Sequence, residues 1–481
     1  MRAFVQQYYQ RVIASYWFIP SLMAVGAAVL AIVLVEIDAR FDIKSFGDGA
    51  FFFATQPDGA RAILSAIGGS MIGVAGTVFS VTMAAVVFAS GSFGPRLLTN
   101  FMNDRGNQVT LGVFVATFVY CMLVLRSVQD GSDSDVYGTM FVPDIAVFAA
   151  IILAVASIGV LIFFIHHVPS TIHISNVIAG IGKTLIRHIE ANFPEPRERS
   201  AAADAVEARH WQIPACFRNE SDPMAATVPY AEIACDRAGY LQVVDRQTLI
   251  EAARNADIVV RLNCRTGEFV HAGRILFHAW PSERVSDETR QKLLASIATG
   301  NERTPSDDPV FLIDELVEIA ARALSPGIND PFTAITCLDW LTAAMAALAG
   351  HEFPDPLHDD DDGRLRVIDR HRSFDDYLEL SFGHVRQYAA SDMIAAERFL
   401  KSLAEIVPAC RNDAQLAAIR FQMQAFMAPA RAAHAGAALA TIDAAGARLD
   451  ASLRHPRGRL PPPGPAVPAA VALGTGEPAG R

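Results

Sequence analysis

Between Ser325 and Pro331 the chain reads Ser-Pro-Gly-Ile-Asn-Asp-Pro, which sets a hydroxyl, an amide and a carboxylate on one short loop. Ser325, Asn329 and Asp330, framed by the ring-restricted Pro326 and Pro331, carry oxygens able to contact a ligand, an ion or the mouth of a channel. Capping draws on the same residue types. Ser325-Pro326-Gly327 ends one helix, Asp330 caps the next, and Pro331 takes its first position. The preceding helix is predicted from Pro309, with Ile313, Leu316, Val317, Ala320 and Leu324 as its apolar stripe. Asp314, Glu318 and Arg322 form a charge ladder on its other face.

A second constellation lies in an apolar stretch, "ARAILSAIGGSMIGVAGTVFSVTMAAV" from Ala60 to Val86. On a helical wheel Ala62, Ser65, Gly69, Gly73, Gly76 and Ser80 fall within about 80° of one another, while Ile67, Val74 and Val78 take the far side. In lipid such a ribbon lets helix backbones approach closely, as in Gly69-x-x-x-Gly73. It is therefore expected either as a packing seam or as the narrow lining of a water-filled path formed by several copies. No ionisable residue lies within the apolar spans themselves, where a coupled transporter would carry its ion-binding carboxylate or histidine. A passive channel fits that pattern better than a pump.

Several apparent motifs fail on their spacing. "GIGKT" at residues 180 to 184 resembles the end of a phosphate-binding loop, yet the first required glycine is Val177 and no strand precedes it. "HDDDDG" places His358 and Asp369 at the first and last positions of a calcium loop, where an acid and Glu belong. His166, His167 and His173 are expected at the membrane interface rather than as metal ligands. Neither a G-x-S-x-G nor an H-E-x-x-H motif occurs. The "GEFVHAGRIL" hairpin faintly resembles biotinyl- or lipoyl-type barrels, but residues 239 to 280 contain no lysine to carry the cofactor. An enzyme is not expected, nor is any cofactor or metal.

These residues need elements to position them. The chain has 481 residues, of which 52% are hydrophobic, and a mean hydropathy of +0.27, too apolar for an ordinary soluble protein. Four uncharged runs approach or exceed the length needed to cross a bilayer: Val12 to Val35, Ala62 to Pro95, Gly106 to Leu125 and Ile145 to Ile165. The second would measure about 51 Å as one helix, so it must tilt, kink or protrude. Arg2, Arg11, Arg96, Arg105, Lys183 and Arg187 fall on one side of this four-span topology, which predicts cytoplasmic N- and C-termini. The six cysteines are scattered without a CxxC pair, as packing residues in a reducing compartment would be. A net charge of −11 without a basic stripe argues against nucleic acid. The expected partners are the lipid bilayer and further copies of the chain, with an ion as the permeant.

The predicted fold class is an α-helical membrane domain of four transmembrane helices plus a cytoplasmic α+β domain, with a small β-barrel-like part and C-terminal helices. The membrane domain covers 1–190 and ends in an amphipathic exit helix bearing Ile174, Ile178, Ile181, Leu185 and Ile189. Residues 191–238 form an irregular linker, 239–350 the α+β domain, 351–372 an acidic linker, 373–455 a helical C-terminal part and 456–481 a disordered tail.

The segments "WFIPSLMA", "SGSFGPRLLTNFMNDRGNQVTLGVFVATFVYCMLVLR", "VASIGVLIFFIHHV" and "ARALSPGINDPFTA" resemble, in order, a family of predicted bacterial inner-membrane proteins built on a domain of unknown function. The resemblance covers roughly residues 10 to 440, implies four spans and a cytoplasmic domain, and brings no activity with it. Pairing Pro95, Arg96, Asn103, Asp104 and Arg105 with the Ser325–Pro331 loop as one functional region is an inference from the residues themselves. The function expected is an oligomeric passive channel, with a non-conducting membrane-anchored scaffold as the alternative.

Overall fold

A computed structural model describes residues 15–40, 56–93, 104–129, 141–195, 209, 212–218, 228–303 and 309–455. Four long helices come first: α1 (Phe18–Arg40), α2 (Pro57–Phe93), α3 (Arg105–Ser127) and α4 (Asp144–Ile172). α3 is the central one and packs on the other three. Its buried face includes Leu111, Phe114, Tyr120, Cys121 and Val124. Large apolar residues elsewhere on the bundle, such as Leu22, Val29, Ile152, Val155 and Ile162, point outward, as a lipid-facing surface requires.

Several polar groups of the bundle are satisfied within it. The Tyr120 hydroxyl donates to the Ala146 carbonyl at 2.9 Å, and the Thr117 and Ser157 hydroxyls pair at 3.2 Å. At one end of the bundle Asp38 of α1 accepts hydrogen bonds from the Ile145 and Ala146 amides at 3.2 and 3.0 Å, capping α4 from a neighbouring helix. Arg61 of α2 donates to the Val128 carbonyl at the same end, 3.1 Å away.

After α4 the chain turns through His173 into α5 (Ile174–Asn192). Ile178, Ile181, Leu185 and Ile189 are buried as the periodicity predicts, but against protein. Their partners belong to a large helical core that also takes in α8 (Pro309–Ala323), α9 (Pro331–Gly350), α11 (Met393–Ile406), α12 (Asp413–Ala433) and α13 (Gly436–Arg454). α9 is the fifth helix long and apolar enough to cross a membrane. It instead buries Cys337, Leu338, Leu341, Ala344 and Met345 against α5, α8 and α11, the role an apolar helix takes inside a globular core.

The sheet region has its own core. Strands β1 (Ala231–Ala234), β2 (Gly239–Val244), β3 (Val259–Leu262), β4 (Phe269–Val270), β5 (Ile275–Trp280), β6 (Ile297–Gly300), β7 (Leu357–Asp359) and β8 (Leu365–Ile368) alternate with α6 (Arg246–Ala256) and α7 (Asp287–Ala295). They form a five-stranded sheet ordered β1-β5-β3-β8-β7 and a three-stranded sheet ordered β4-β2-β6. Both are linear arrays, where the sequence suggested a barrel. β1 falls within the stretch expected as an irregular linker. The stretch expected as an acidic linker supplies β7 and β8, and β8 runs parallel to β3. Arginines explain that difference. Asp360 accepts from Arg366 at 2.6 Å, Asp359 from Arg209 at 2.6 Å and Asp361 from Arg254 at 2.9 Å, so the acidic run folds back as a hairpin instead of repelling itself. The expected 239–350 unit is likewise divided: its strands join the sheet core, while α8 and α9 join the helical core with α10 (Phe374–Leu378) and the helices after it.

All six cysteines are buried and free. Burial pushes the Cys264 and Cys410 thiols up to about 12, which leaves them as packing residues.

The "GIGKT" segment lies inside α5 and packs. A β-carbon at Gly182 would collide with the Trp340 ring of α9, whereas one at Gly180 meets nothing within 4 Å. Thermal unfolding of the solubilised chain checks this contrast. Gly180→Ala should stabilise by up to about 1 kcal/mol, the helix-propensity difference, and Gly182→Ala should destabilise by displacing Trp340.

Candidate functional site

The small-residue ribbon of α2 faces away from its own bundle. Ser65, Gly69, Gly73, Gly76 and Ser80 are exposed in the single chain, and no neighbouring atom lies within 4 Å of where a β-carbon would stand at Gly69, Gly73 or Gly76. The opposite face carries Leu64, Met71, Ala75 and Val78 into the bundle. Gly68, one residue off the ribbon, is the glycine that meets α3, at Cys121 and Phe118. Two hydroxyls on this exposed side bond within the helix: Thr77 donates to the Gly73 carbonyl at 3.1 Å and Ser80 of the ribbon to that of Gly76 at 2.9 Å.

The other predicted residues gather toward the opposite end of the bundle from Asp38, with part of the set out of view. Pro95, Arg96 and Asn103 lie outside the described residues. Asp104 accepts from the Gly106 amide at 3.2 Å and so caps α3, and its second oxygen pairs with His167 Nε2 at 2.8 Å. His167 in turn stacks on Phe163, with ring centroids 4.9 Å apart. The absence of a side chain at Gly106 admits the imidazole, since a β-carbon there would strike it. Arg105 is exposed. Asn107, in the first turn of α3, is 1% exposed, and neither polar atom of its side chain has a hydrogen-bond partner.

The Ser325–Pro331 loop makes the capping bonds its sequence predicts. Asp330 Oδ1 accepts from the Thr333 amide at 3.1 Å and Oδ2 from the Thr333 hydroxyl at 2.6 Å. The Ser325 hydroxyl donates to the Arg322 carbonyl at 2.6 Å. Asn329 adopts φ +50°, a left-handed conformation that asparagine tolerates better than most residues. Pro326 precedes this turn and Pro331 opens α9. Ile328 and Phe332 stand 46% and 69% exposed beside it. One turn before the loop, Arg322 Nη1 donates to the Gly91 carbonyl at 2.9 Å. The helix leading into the loop is thus attached to the end of α2. Among the described residues no hydrogen bond or ion pair joins the loop to Asp104 or Arg105.

Sequence reasoning missed the Asp104–His167 pair, although one signal was present: each residue closes an uncharged run at the same predicted membrane face. It also missed His358, Asp369 and His371, whose donor atoms lie within 4.8 Å of one another. Only strand pairing brings His358 to the other two.

A bundle of long apolar helices with exposed aliphatic faces, continuous with a helix-and-sheet domain, defines a multi-pass membrane protein. The chain belongs to the family described as "Predicted membrane protein (DUF2254)", which matches residues 13–405. It is 30% identical over 457 residues to an uncharacterized protein of Mycobacterium tuberculosis (strain H37Rv) and equally to one of Mycobacterium bovis, covering 93% of this chain and 82% of each relative. No solved structure matches the chain.

Asp104 serves as both cap and ion-pair partner, and two substitutions separate these roles. Asp104→Ala should destabilise the solubilised chain by about 1–2 kcal/mol, the range for a lost helix cap. Asp104→Asn, which still caps, should lose less. Thermal unfolding of the two variants in parallel gives the comparison.

Proposed function

We propose that α1 to α4 cross a bacterial inner membrane, that both termini are cytoplasmic, and that several copies assemble with their α2 ribbons turned toward one another around a passive, channel-like path. The observation that carries this reading is the orientation of the ribbon. Residues small enough for close helix contact line a face with no partner among the described residues, while the same helix packs its bulky side inward. Aliphatic side chains would cover that face better if lipid were its only neighbour.

Two further features support the proposal. The runs from Ala62 to Pro95 and from Gly106 to Leu125 hold no Asp, Glu, Lys, Arg or His, which suits passive movement better than ion-coupled transport. The Arg322–Gly91 bond attaches the extramembrane domain to the helix that would line the path. On this reading the domain would hold or gate the assembly.

A non-conducting scaffold is the second reading, and the internally bonded hydroxyls of Thr77 and Ser80 favour it, because such a surface does not require water. Gly73→Trp distinguishes the two. In a channel it should change single-channel conductance in planar bilayers while the mass of the solubilised complex is unchanged; in a packing seam it should break the complex into single chains. A wild-type complex with the mass of one chain, passing no current under voltage or tension, would refute the assembly and the channel together.

A further inference from the structure

β3 and β8 are the one parallel pair in the five-stranded sheet, and their carboxyl ends open into the same cavity of about 100 Å³. The ends of parallel strands are where open sheets commonly place ligands, because backbone direction changes there and side chains from adjacent strands converge. β3 leads into Arg265 and Thr266 at this cavity, and β8 leads into Asp369, Arg370, His371 and Arg372. On the edge strand β7, His358 pairs in register with Val367.

The side chains at this end have an unusual bonding pattern. His358 Nε2 is 3.8 Å from Asp369 Oδ2, beyond hydrogen-bonding distance. The Nε2 atoms of both histidines are buried and have no hydrogen-bond partner among the described residues, a condition that is costly unless another group satisfies them. Asp369, its side chain 8% exposed, is oriented from two directions: Oδ1 accepts from the Arg370 amide at 2.8 Å and Oδ2 from Arg246 at 2.9 Å. Two imidazole nitrogens and a carboxylate oxygen thus lie within 4.8 Å of one another.

We propose that His358, Asp369 and His371 bind a divalent transition metal of the zinc class, with a remaining coordination position open toward the arginine-lined cavity. Bonds of about 2.1 Å in tetrahedral geometry place ligand atoms about 3.4 Å apart, so the 3.8 Å His358–Asp369 spacing is close to that required. Small side-chain rotations bring in the third ligand. Two histidines and one carboxylate form the donor set of metal centres that keep a position for water or substrate. Arg246 shares the carboxylate, but its side chain is 52% exposed and can turn to solvent. Arg265, Arg370 and Arg372 around the cavity favour an anion as the remaining ligand.

The test uses the full-length solubilised chain, stripped with a chelator and reloaded with zinc or cobalt. Bound metal is counted by elemental mass spectrometry, and cobalt coordination is read from its visible spectrum. The wild type should hold about one metal per chain. His358→Ala and His371→Gln should each weaken binding by more than about 100-fold, beyond the cost of losing a supporting hydrogen bond. Arg246→Met should keep the metal. Zinc should raise the unfolding temperature of the wild type and leave that of the double variant unmoved, a comparison that holds even where a single variant folds poorly. Less than about a tenth of an equivalent in the reloaded wild type, or wild-type binding by the His358→Ala, His371→Gln double variant, would overturn the assignment.

Discussion

Hydrocarbon offers no hydrogen bonds, and the membrane half of this protein is organised by that fact. Its spans carry few polar side chains, and those at the helix ends are used to join one helix to another. Asp38 caps α4 from α1, Arg61 ties α2 to the end of α3, and Asp104 caps α3 while binding His167 of α4. Apart from the local Asp104 cap, each bond joins elements that are distant in sequence, at a level where a charge can stay partly hydrated. Between those levels the bundle relies on small contacts, such as Gly68 against Cys121 and Phe118. Bonded ends and a close-packed middle fix which face of α2 is left over, and that face is the glycine ribbon.

The same economy explains how the two halves connect. α5 follows α4 after a single non-helical residue, His173, so the direction of α4 determines where the helical core begins. Its isoleucine stripe reads equally well as a membrane-surface helix or as a core helix, and proximity decides: α8 and α9 cover it before lipid can. α9 illustrates the same ambiguity from the other side. Its composition would allow it to span a membrane, yet it is enclosed by amphipathic helices whose apolar faces need such a centre.

What could be read in the sequence was what depends on local chemistry. The existence and order of the four long helices, though not the ends of α1 or the C-terminal end of α4, the far-side positions of Val74 and Val78, the stripe on α5 and the Asp330 cap all follow from composition, periodicity and capping within one element. What could not be read depends on pairings over long separations. The run from His358 to Asp362 resembles a solvated spacer until Arg209, Arg254 and Arg366 are set against it, and those arginines come from three different parts of the chain. The parallel alignment of β3 with β8 crosses about a hundred residues, and no short-range signal announces it. The His358–Asp369–His371 cluster inherits that difficulty, since its geometry exists only once β7 and β8 have joined the sheet.

The two regions with chemical potential meet through one helix. α8 begins at Pro309, which lines the cavity at the strand ends, and one residue before its last it presents Arg322 to the Gly91 carbonyl of α2. Its 15 residues span about 22 Å as a rod. Adjacency of this kind is not coupling. Coupling would require two arrangements of α8 with different free energies, one favoured by an occupied cavity and one by a particular position of α2. Packing limits what those arrangements can be. Ile313, Leu316 and Ala320 are fully enclosed in the helical core, so α8 can shift along or about its axis only together with α5 and α9. Among the described residues the helical core meets α1 to α4 at the His173 junction and at the Arg322–Gly91 bond, so a signal passing from the strand ends to the ribbon by these contacts must move the helical core as a body.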